Sequence, residues 1–465
     1  MTLRREGGPP PGWEWASVES LATAAVRAIT DGPFGSNLKT EHYSDSGPRV
    51  IRLQNIGDGV FRDEYAHISR EHFERLKAHE VEAGDVVVAL LGDELPRACS
   101  IPAGVAPAIV KADCVRIRVD RKRVNPTYLM YALNDPELRR VISPRGVGRP
   151  RLRLSDLRQI QIPLAPRAEQ DSIVSEIETQ FTRLDAGTAL FKRVLTQLKT
   201  YRASVLKAAI EGNLVLSESV IAERERRPLE DAALLLGSIL GHDAPWRLEG
   251  APRPPGWCWA RLGGIAALKG GITKGQTRKP ADRLRPVPYL RVANVQRGYL
   301  DLREVKIIEA TDQDIRELAL RVGDVLFNEG GDRDKLGRGW IWSGELPECI
   351  HQNHVFRARL KIPLDPKFLS WFGNSTGQQY FFAEGKHTTN LASINLTKLS
   401  RLPVPIPPPS EQRRIVSEVE RRFSFIDRIE KTVTHHMARS AALRSAVLRA
   451  AFSGSLASTF ATPAA

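Results

Sequence analysis

Short apolar runs broken by Gly and Pro fill most of this chain, and two long stretches have a different texture. In the first half, Val50-Ile51-Arg52-Leu53 and Asp85-Val86-Val87-Val88-Ala89-Leu90 predict strands, as does the alternating run Cys114-Val115-Arg116-Ile117-Arg118-Val119. Asn125-Pro126-Thr127-Tyr128 opens a short helix that runs to about Leu133. From about Arg167 to Gly212, and again from about Pro409 to Gly454, internal proline is absent and apolar residues return every three or four positions. Ile173, Ile177, Phe181, Leu184, Phe191, Leu195, Leu198 and Val205 mark the first stretch. Ile415, Val419, Phe423, Ile426, Val433, Met437 and Val447 mark the second. That spacing is the seam of a long helix lying on another long helix. Gly212 and Gly454 stand where a stop is expected, and Ser410 is the expected N-cap of the second helix.

About 45 residues at 1.5 Å each make a rod of roughly 65–70 Å, too long to pack on a globular piece of about 150 residues. The two helices are therefore expected to pair lengthwise as an antiparallel coiled coil.

The chain also repeats itself once, at an offset of about 240 residues. PPGWEW at 10–15 returns as PPGWCW at 254–259, IRLQNI at 51–56 as LRVANV at 290–295, and EAGDVV at 82–87 as RVGDVL at 321–326. LSDLRQIQIPLAP at 154–166 returns as LTKLSRLPVPIPP at 396–408, EQDSIVSEIE at 169–178 as EQRRIVSEVE at 411–420, and RASVLKAAIEGNL at 202–214 as RSAVLRAAFSGSL at 444–456. Chance similarity does not keep register through six segments. The expected fold class is α+β: two similar mixed α/β domains separated by two long helices, with a pseudo-twofold internal repeat. The expected pieces are a first domain at 1–166, a helical spacer at 167–215, a connector at 216–253, a second domain at 254–408, a second spacer at 409–456 and a flexible tail at 457–465. The connector is read as a surface linker, with a short helix within Asp231–Leu240.

Charge narrows the class of partner. Lys and Arg number 68 against 54 Asp and Glu, a formal +14, which favours a polyanion such as nucleic acid. Cys99, Cys114, Cys258 and Cys349 are scattered without metal-type pairing, so a reducing cytoplasm is the expected location. No apolar run approaches the roughly 20 residues of a membrane span, and no membrane partner is expected. Related domains at opposite ends of antiparallel rods match a bipartite target on duplex DNA.

Three sets of polar loops are candidates for DNA binding. GPFGSNLKTEH at 32–42 offers Ser36, Asn37 and Lys39, and its counterpart GGITKGQTRKP at 270–280 offers Lys274, Gln276, Arg278 and Lys279. Gly lets backbone approach a groove, Asn and Gln pair with adenine, and Arg or Lys pair with guanine or sit on phosphates. SPRGVGRPRLRL at 143–154 offers Arg145, Arg149 and Arg151 just before an expected LSDL strand. EGKHTTNLASINL at 384–396 offers Lys386, Thr388 and Asn390. Arg52, Gln54 and Asn55, with Arg291 and Asn294 in the second half, follow a strand and can face a groove. Framework segments repeat closely while these loops diverge, as expected of two readers of different sequences.

A catalytic centre is not legible, and neither a cofactor nor a metal is expected. GGITKGQT at 270–277 has Gln276 where a phosphate loop requires lysine. NDPE at 134–137 lacks the second proline and the aromatic of an adenine methyltransferase motif, and His351 and His354 have no accompanying ligand set.

Taken together, PPGWEW and PPGWCW, GPFGSNLK at 32–39, GVGRPRLRLSDL at 146–157, the GDVV and GDVL strands, and IPLAPRAEQ and VPIPPPSEQ leading into the long helices resemble the specificity subunit of type I restriction–modification enzymes. The resemblance covers nearly the whole chain. It implies that each half is a target recognition domain followed by a helical spacer, and that the subunit does no chemistry itself. It also implies two methyltransferase subunits, docked on the helices, and endonuclease/translocase subunits as partners alongside double-stranded DNA. The competing expectation is a rod-spaced, two-domain binding protein for a non-nucleic-acid ligand.

Overall fold

The computed structural model describes residues 3–5, 7–142, 150–241, 254–275, 283–331, 335–387 and 392–456. The chain packs as two compact units, one of Met1–Lys192 with Val433–Ala465, the other of Arg193–Thr432.

In the first unit, Glu14–Ser17 pairs antiparallel with Gln161–Leu164. One four-stranded sheet runs in the order Ile29–Asp31, Cys114–Ile117, Val86–Ala89, Arg97–Ser100, and a second in the order His67–Ile68, Tyr43–Ile51, Ala108–Val110, Glu80–Val81. The unbroken apolar run at 86–89 is explained by burial on both faces. Val86 and Val88 join the core built with Leu129 and Leu133, while Val87 and Ala89 join the core of Ile51, Cys99 and Cys114. Asn125 caps the Pro126–Leu133 helix as expected, its side chain accepting from Thr127 N at 2.8 Å.

Two short expectations need correction. The strand expected at Val50–Leu53 stops at Ile51, because Arg52 N–H donates to the Asn55 side chain and Leu53–Asn55 forms a 3₁₀ turn. LSDL is the helix Leu154–Gln159, with the buried Leu157 turned inward, and the strand begins only at Gln161. Runs of four to six residues do not separate the two periods.

The second unit contains several small sheets. Cys258–Arg261 pairs with Pro403–Ile406. A four-stranded sheet runs Ala266–Lys269, Val355–Leu360, Val325–Asn328, Gly339–Ile341, and a three-stranded sheet runs Lys306–Thr311, Leu284–Leu290, Ile350–His351. Each unit carries a buried carboxylate at the repeated Gly-Asp-Val. Asp85 is held by Arg118 Nε and Nη2 at 3.1 and 2.9 Å, and Asp324 by Arg359 Nε and Nη2 at 2.7 Å each.

The two long helices are Arg167–Ile210 and Pro409–Phe452, 44 residues each. Both end at a glycine with φ +74°, Gly212 and Gly454, where Asn213 N–H reaches back to Ala208 O and Ser455 N–H to Ala450 O. Both start with a Glu-Gln pair that meets the tryptophan of the repeated Pro-Gly-Trp. Trp13 Nε1 donates to Glu169 at 3.2 Å, and Trp257 Nε1 to Glu411 at 3.0 Å. Ser410 is not the N-cap. It lies inside the helix, and the carboxylate of Glu230 accepts from its N–H at 2.9 Å and its hydroxyl at 2.7 Å.

Within each unit, segments of the two helices run antiparallel. In the first, Ile177 and Phe181 share a core with Val447 and Ala451, Thr188 bonds Ser440 at 3.3 Å, and Arg444 lies 3.8 Å over the Phe181 ring while pairing with Asp185 at 2.6 Å. In the second, Val205 and Ala209 share a core with Ile415 and Val419, and Arg202 lies 4.6 Å over Phe423 while pairing with Asp427 at 2.6 Å. Cation–π contact and ion pair together make the same clasp in both places.

The connector is not a surface linker through its described part. It forms the helices Glu218–Glu225 and Ala232–Leu240, the second capped by Asp231 at 2.7 Å, and Ala232 and Leu236 belong to the second unit's core. Glu218 is fully buried. Burial pushes its carboxyl up, but the guanidinium groups of Arg227 and Arg414 outweigh that and hold it below its ordinary range.

Asp135 shows the opposite balance. It caps the helix Pro136–Val141 at only 2% exposure, and burial pushes its carboxyl up to about 6 despite Arg5 at 3.4 Å. A folded value above the ordinary 3.8 means the folded state binds the proton more tightly, so stability falls as pH rises from about 4 to about 6 and the full penalty stands above that. Asp135→Asn keeps the cap and loses the charge. Its melting temperature should exceed that of wild type at pH 7.5, reflecting a gain on the order of 2 kcal/mol or less, and converge with wild type near pH 4. An equal gap at both pH values would contradict the assignment.

Candidate nucleic-acid interface

In the first unit, three distant segments converge around the turn at 110–114. Lys111 N–H donates to Ile51 O at the strand end, and Cys114 N–H closes the turn on Lys111 O. Gly32 lies against the same turn so closely that a Cβ there would stand 2.2 Å from the Lys111 carbonyl carbon, so only glycine fits. The loop that follows is held by a 3₁₀ turn at Gly35–Asn37 and by His72 Nε2–H donating to Asn37 O at 2.9 Å. Phe34, Ser36, Asn37 and Lys39 are exposed on it, with Lys39 3.7 Å from Glu41.

Arg151 arrives from the other candidate segment. Gly92 N–H donates to Pro150 O and Leu152 N–H to Leu90 O, which pins residues 150–152 alongside the sheet strand. Leu152 turns into the core, Arg151 turns out, and its guanidinium lies 6.0 Å over the Phe34 ring and 2.7 Å from Asp113. Phe34, Arg151 and Asp113 thus rim a cleft of about 250 Å³, with Asp31, Arg153 and the buried Leu90 and Leu152. Arg145 and Arg149 lie outside the described residues.

The strand-end set divides. Asn55 and Asn294 are buried, at 0% and 2% exposure, and brace loops instead of facing a groove. Asn55 accepts from Arg52 N–H and donates to Arg62 O and Glu64 O. Asn294 accepts from Arg291 N–H and donates to Asp301 O and Glu304 O. Their amides are spent on backbone and cannot read a base. Arg52 is half-buried and donates to Tyr65 O at 3.1 Å, Gln54 is exposed and bonds Glu64 at 2.7 Å, and Arg291 lies 3.6 Å from Glu304. What each braced loop offers outward is a tyrosine, Tyr65 at 66% exposure and Tyr299 at 56%. Neither was legible as a candidate, since a single aromatic in a polar run carries no spacing signal.

In the second unit, Lys274 is exposed on a turn completed by Gly275 at φ +77°. Gly271 repeats the close approach of Gly32, a Cβ there falling 1.9 Å from His351 O. Gln276, Arg278, Lys279, Thr388 and Asn390 lie outside the described residues, and so does the side chain of Lys386, whose backbone forms the short strand Lys386–His387.

Two residues of the motifs weighed for chemistry make buried contacts to backbone. Asn134 of NDPE is buried and bonds both backbone groups of Ala98, at 2.9 and 2.8 Å, and Asn374 does the same to Gly339. His351 is fully buried, donates to Val355 O at 2.6 Å, and is pushed down to about 4 by burial, so its ring is neutral at pH 7. Among the described residues no cluster of His, Cys, Asp or Glu could hold a metal ion, and no helix is long and apolar enough to cross a membrane.

No family model matches the chain. It is 23% identical over 470 residues to the type I restriction enzyme EcoKI specificity subunit of Escherichia coli K12, covering 97% of this chain and 90% of that one. It is 25% identical over 451 residues to the EcoBI specificity subunit of Escherichia coli, covering 96% and 86%. Among solved structures, a chain from work on complex assembly and conformational transition of the type I R-M system superposes with a TM-score of 0.65 at 19% identity, covering 97% of this chain and all of that one. The HsdS subunit from Thermoanaerobacter tengcongensis superposes at 0.51 and 19% identity, covering 97% and 99%. In sequence along nearly its whole length the chain is similar to type I restriction enzyme specificity subunits, and its fold is similar to that of the solved chains.

Proposed function

We propose that this chain is the DNA-reading specificity subunit of a type I restriction–modification complex. It reads a bipartite duplex target, one half-site per recognition domain, recruits methyltransferase and endonuclease subunits, and catalyses no step itself. The observation that carries this is coverage: both domains and both long helices fall inside the match to EcoKI, which spans 97% of the chain. The helices run together as an antiparallel coiled coil whose length, at 1.5 Å per residue, sets the gap between half-sites. Its two matching Arg–Phe–Asp clasps suit a pseudo-twofold arrangement. A complex of this kind works on cytoplasmic DNA.

The test is an electrophoretic titration of the chain with its methyltransferase subunits against duplex DNA at 50 and 200 mM salt. Binding should weaken on the order of a thousandfold or more between the two if six or more phosphates are neutralised. The chain alone should transfer no label from a methyl donor. Salt-insensitive binding, or absence of binding in the complex, favours a non-nucleic-acid ligand.

A further inference from the structure

Resting on the DNA-reading function proposed above, we propose that Arg151 reads a guanine in the half-site of the first unit, with Asp113 and Phe34 as its positioning residues. Its backbone is fixed on both sides, by Gly92 N–H donating to Pro150 O at 3.1 Å and Leu152 N–H donating to Leu90 O at 2.9 Å. Alternation along this extended segment buries Leu152 and leaves the Arg151 side chain 51% exposed.

The guanidinium is held as well as presented. Nη2 lies 2.7 Å from Asp113 Oδ1, and the guanidinium carbon stands 6.0 Å over the Phe34 ring. Asp113 is itself locked, at φ +66° in the turn closed by Cys114 N–H on Lys111 O, with its carbonyl accepting from Leu90 N–H at 2.9 Å. A side chain fixed before binding loses little rotamer entropy when it binds.

The charge around it distinguishes a base from a phosphate. Arg151 and Arg153 share the cleft with Asp31 and Asp113, two cations against two carboxylates. A phosphate entering there meets no net attraction and two like charges. A guanine edge is neutral and offers O6 and N7 to the donors of a planar fork, while the Asp113 carboxylate stays beside the guanidinium as its counter-charge. The cleft, about 250 Å³, is floored by Leu90 and Leu152, so the guanidinium is presented at its rim.

The experiment uses the full chain with its methyltransferase subunits and a library of randomised duplexes, read by which sequences are retained. Wild type should require guanine at one position that Arg151→Ala relaxes on the order of ten- to a hundredfold, with the other half-site unchanged. Asp113→Asn keeps the arginine but removes the carboxylate that positions its guanidinium. It should blunt the same preference while raising affinity for all sequences. Uniform weakening by Arg151→Ala with a shallower salt dependence, or uniform strengthening by Asp113→Asn with the preference intact, would identify a phosphate contact and overturn the proposal. A wild-type complex without salt-sensitive duplex binding would overturn the proposed function and this inference together, so the two failures read differently. Arg153→Ala, in the same cleft, controls for general loss of charge and should leave that guanine preference in place; its equal loss there also counts against Arg151 as the reader.

Discussion

Asp324→Ala is expected to destabilise the second unit by about 3–5 kcal/mol, the range for removing one partner of a buried ion pair. Three things are lost at once. Arg359 loses both hydrogen bonds, and Arg321 N–H loses its acceptor at 2.8 Å. Arg357, 7% exposed and pushed below the ordinary guanidinium range by burial, then faces Arg359 with no carboxylate beside it. Differential scanning calorimetry should show the transition of the second unit lowered by about ten degrees. Adding Arg359→Met to Asp324→Ala should recover much of the loss, because the uncompensated charge goes with it. A loss under about 1 kcal/mol for the single variant would mean that the pair is solvated and structurally idle. Asp85→Ala should act on the first unit in the same direction but less strongly, since Arg118 keeps Glu82 at 3.0 Å.

The parts of this fold that could be read from sequence are those whose cause is long or repeated. Two helices of 44 residues declare themselves because a period of three to four survives many turns, and their glycine stops follow from φ. The repeated Trp and Glu-Gln were legible as repeats, but the indole-to-carboxylate bond joining them spans 156 residues in the first unit and 154 in the second. Asn55 and Asn294 were misplaced because a polar residue after a strand looks the same whether it faces solvent or satisfies buried backbone. The connector was misread for a related reason. Its charged entry resembles a solvated linker until Arg227 and Arg414 are seen closing on Glu218. Of the candidate interface, the sequence picked out both loops but not Asp113, whose side chain matters only because a left-handed turn aims it at Arg151. The mixture of α and β was legible, and so was the likeness to specificity subunits. The fine assignment of polar side chains was not, since it depends on contacts between residues far apart in the chain.

Replacing residues 1–166 with the matching segment of a related specificity subunit should change one half of the methylated motif completely and leave the other half untouched. The reason is mechanical. Each unit has its own apolar cores and closes its own sheets, so the exposed loops of one do not depend on those of the other. The junction is demanding: Trp13 must still meet Glu169, and Gln170 must still accept from Asn125 N–H at 2.8 Å and donate to Ala165 O at 2.8 Å. The incoming segment therefore has to bring its own Pro-Gly-Trp and a backbone N–H in the place of residue 125. With those in place, the gap between half-sites should stay constant, because both long helices are retained. Methylation mapping of DNA from cells carrying the chimera reads half-sites and gap in one measurement. A motif altered in both halves would defeat the idea of independent readers. A motif with one half altered but a changed gap would instead show that the globular parts, and not the helices, set the spacing.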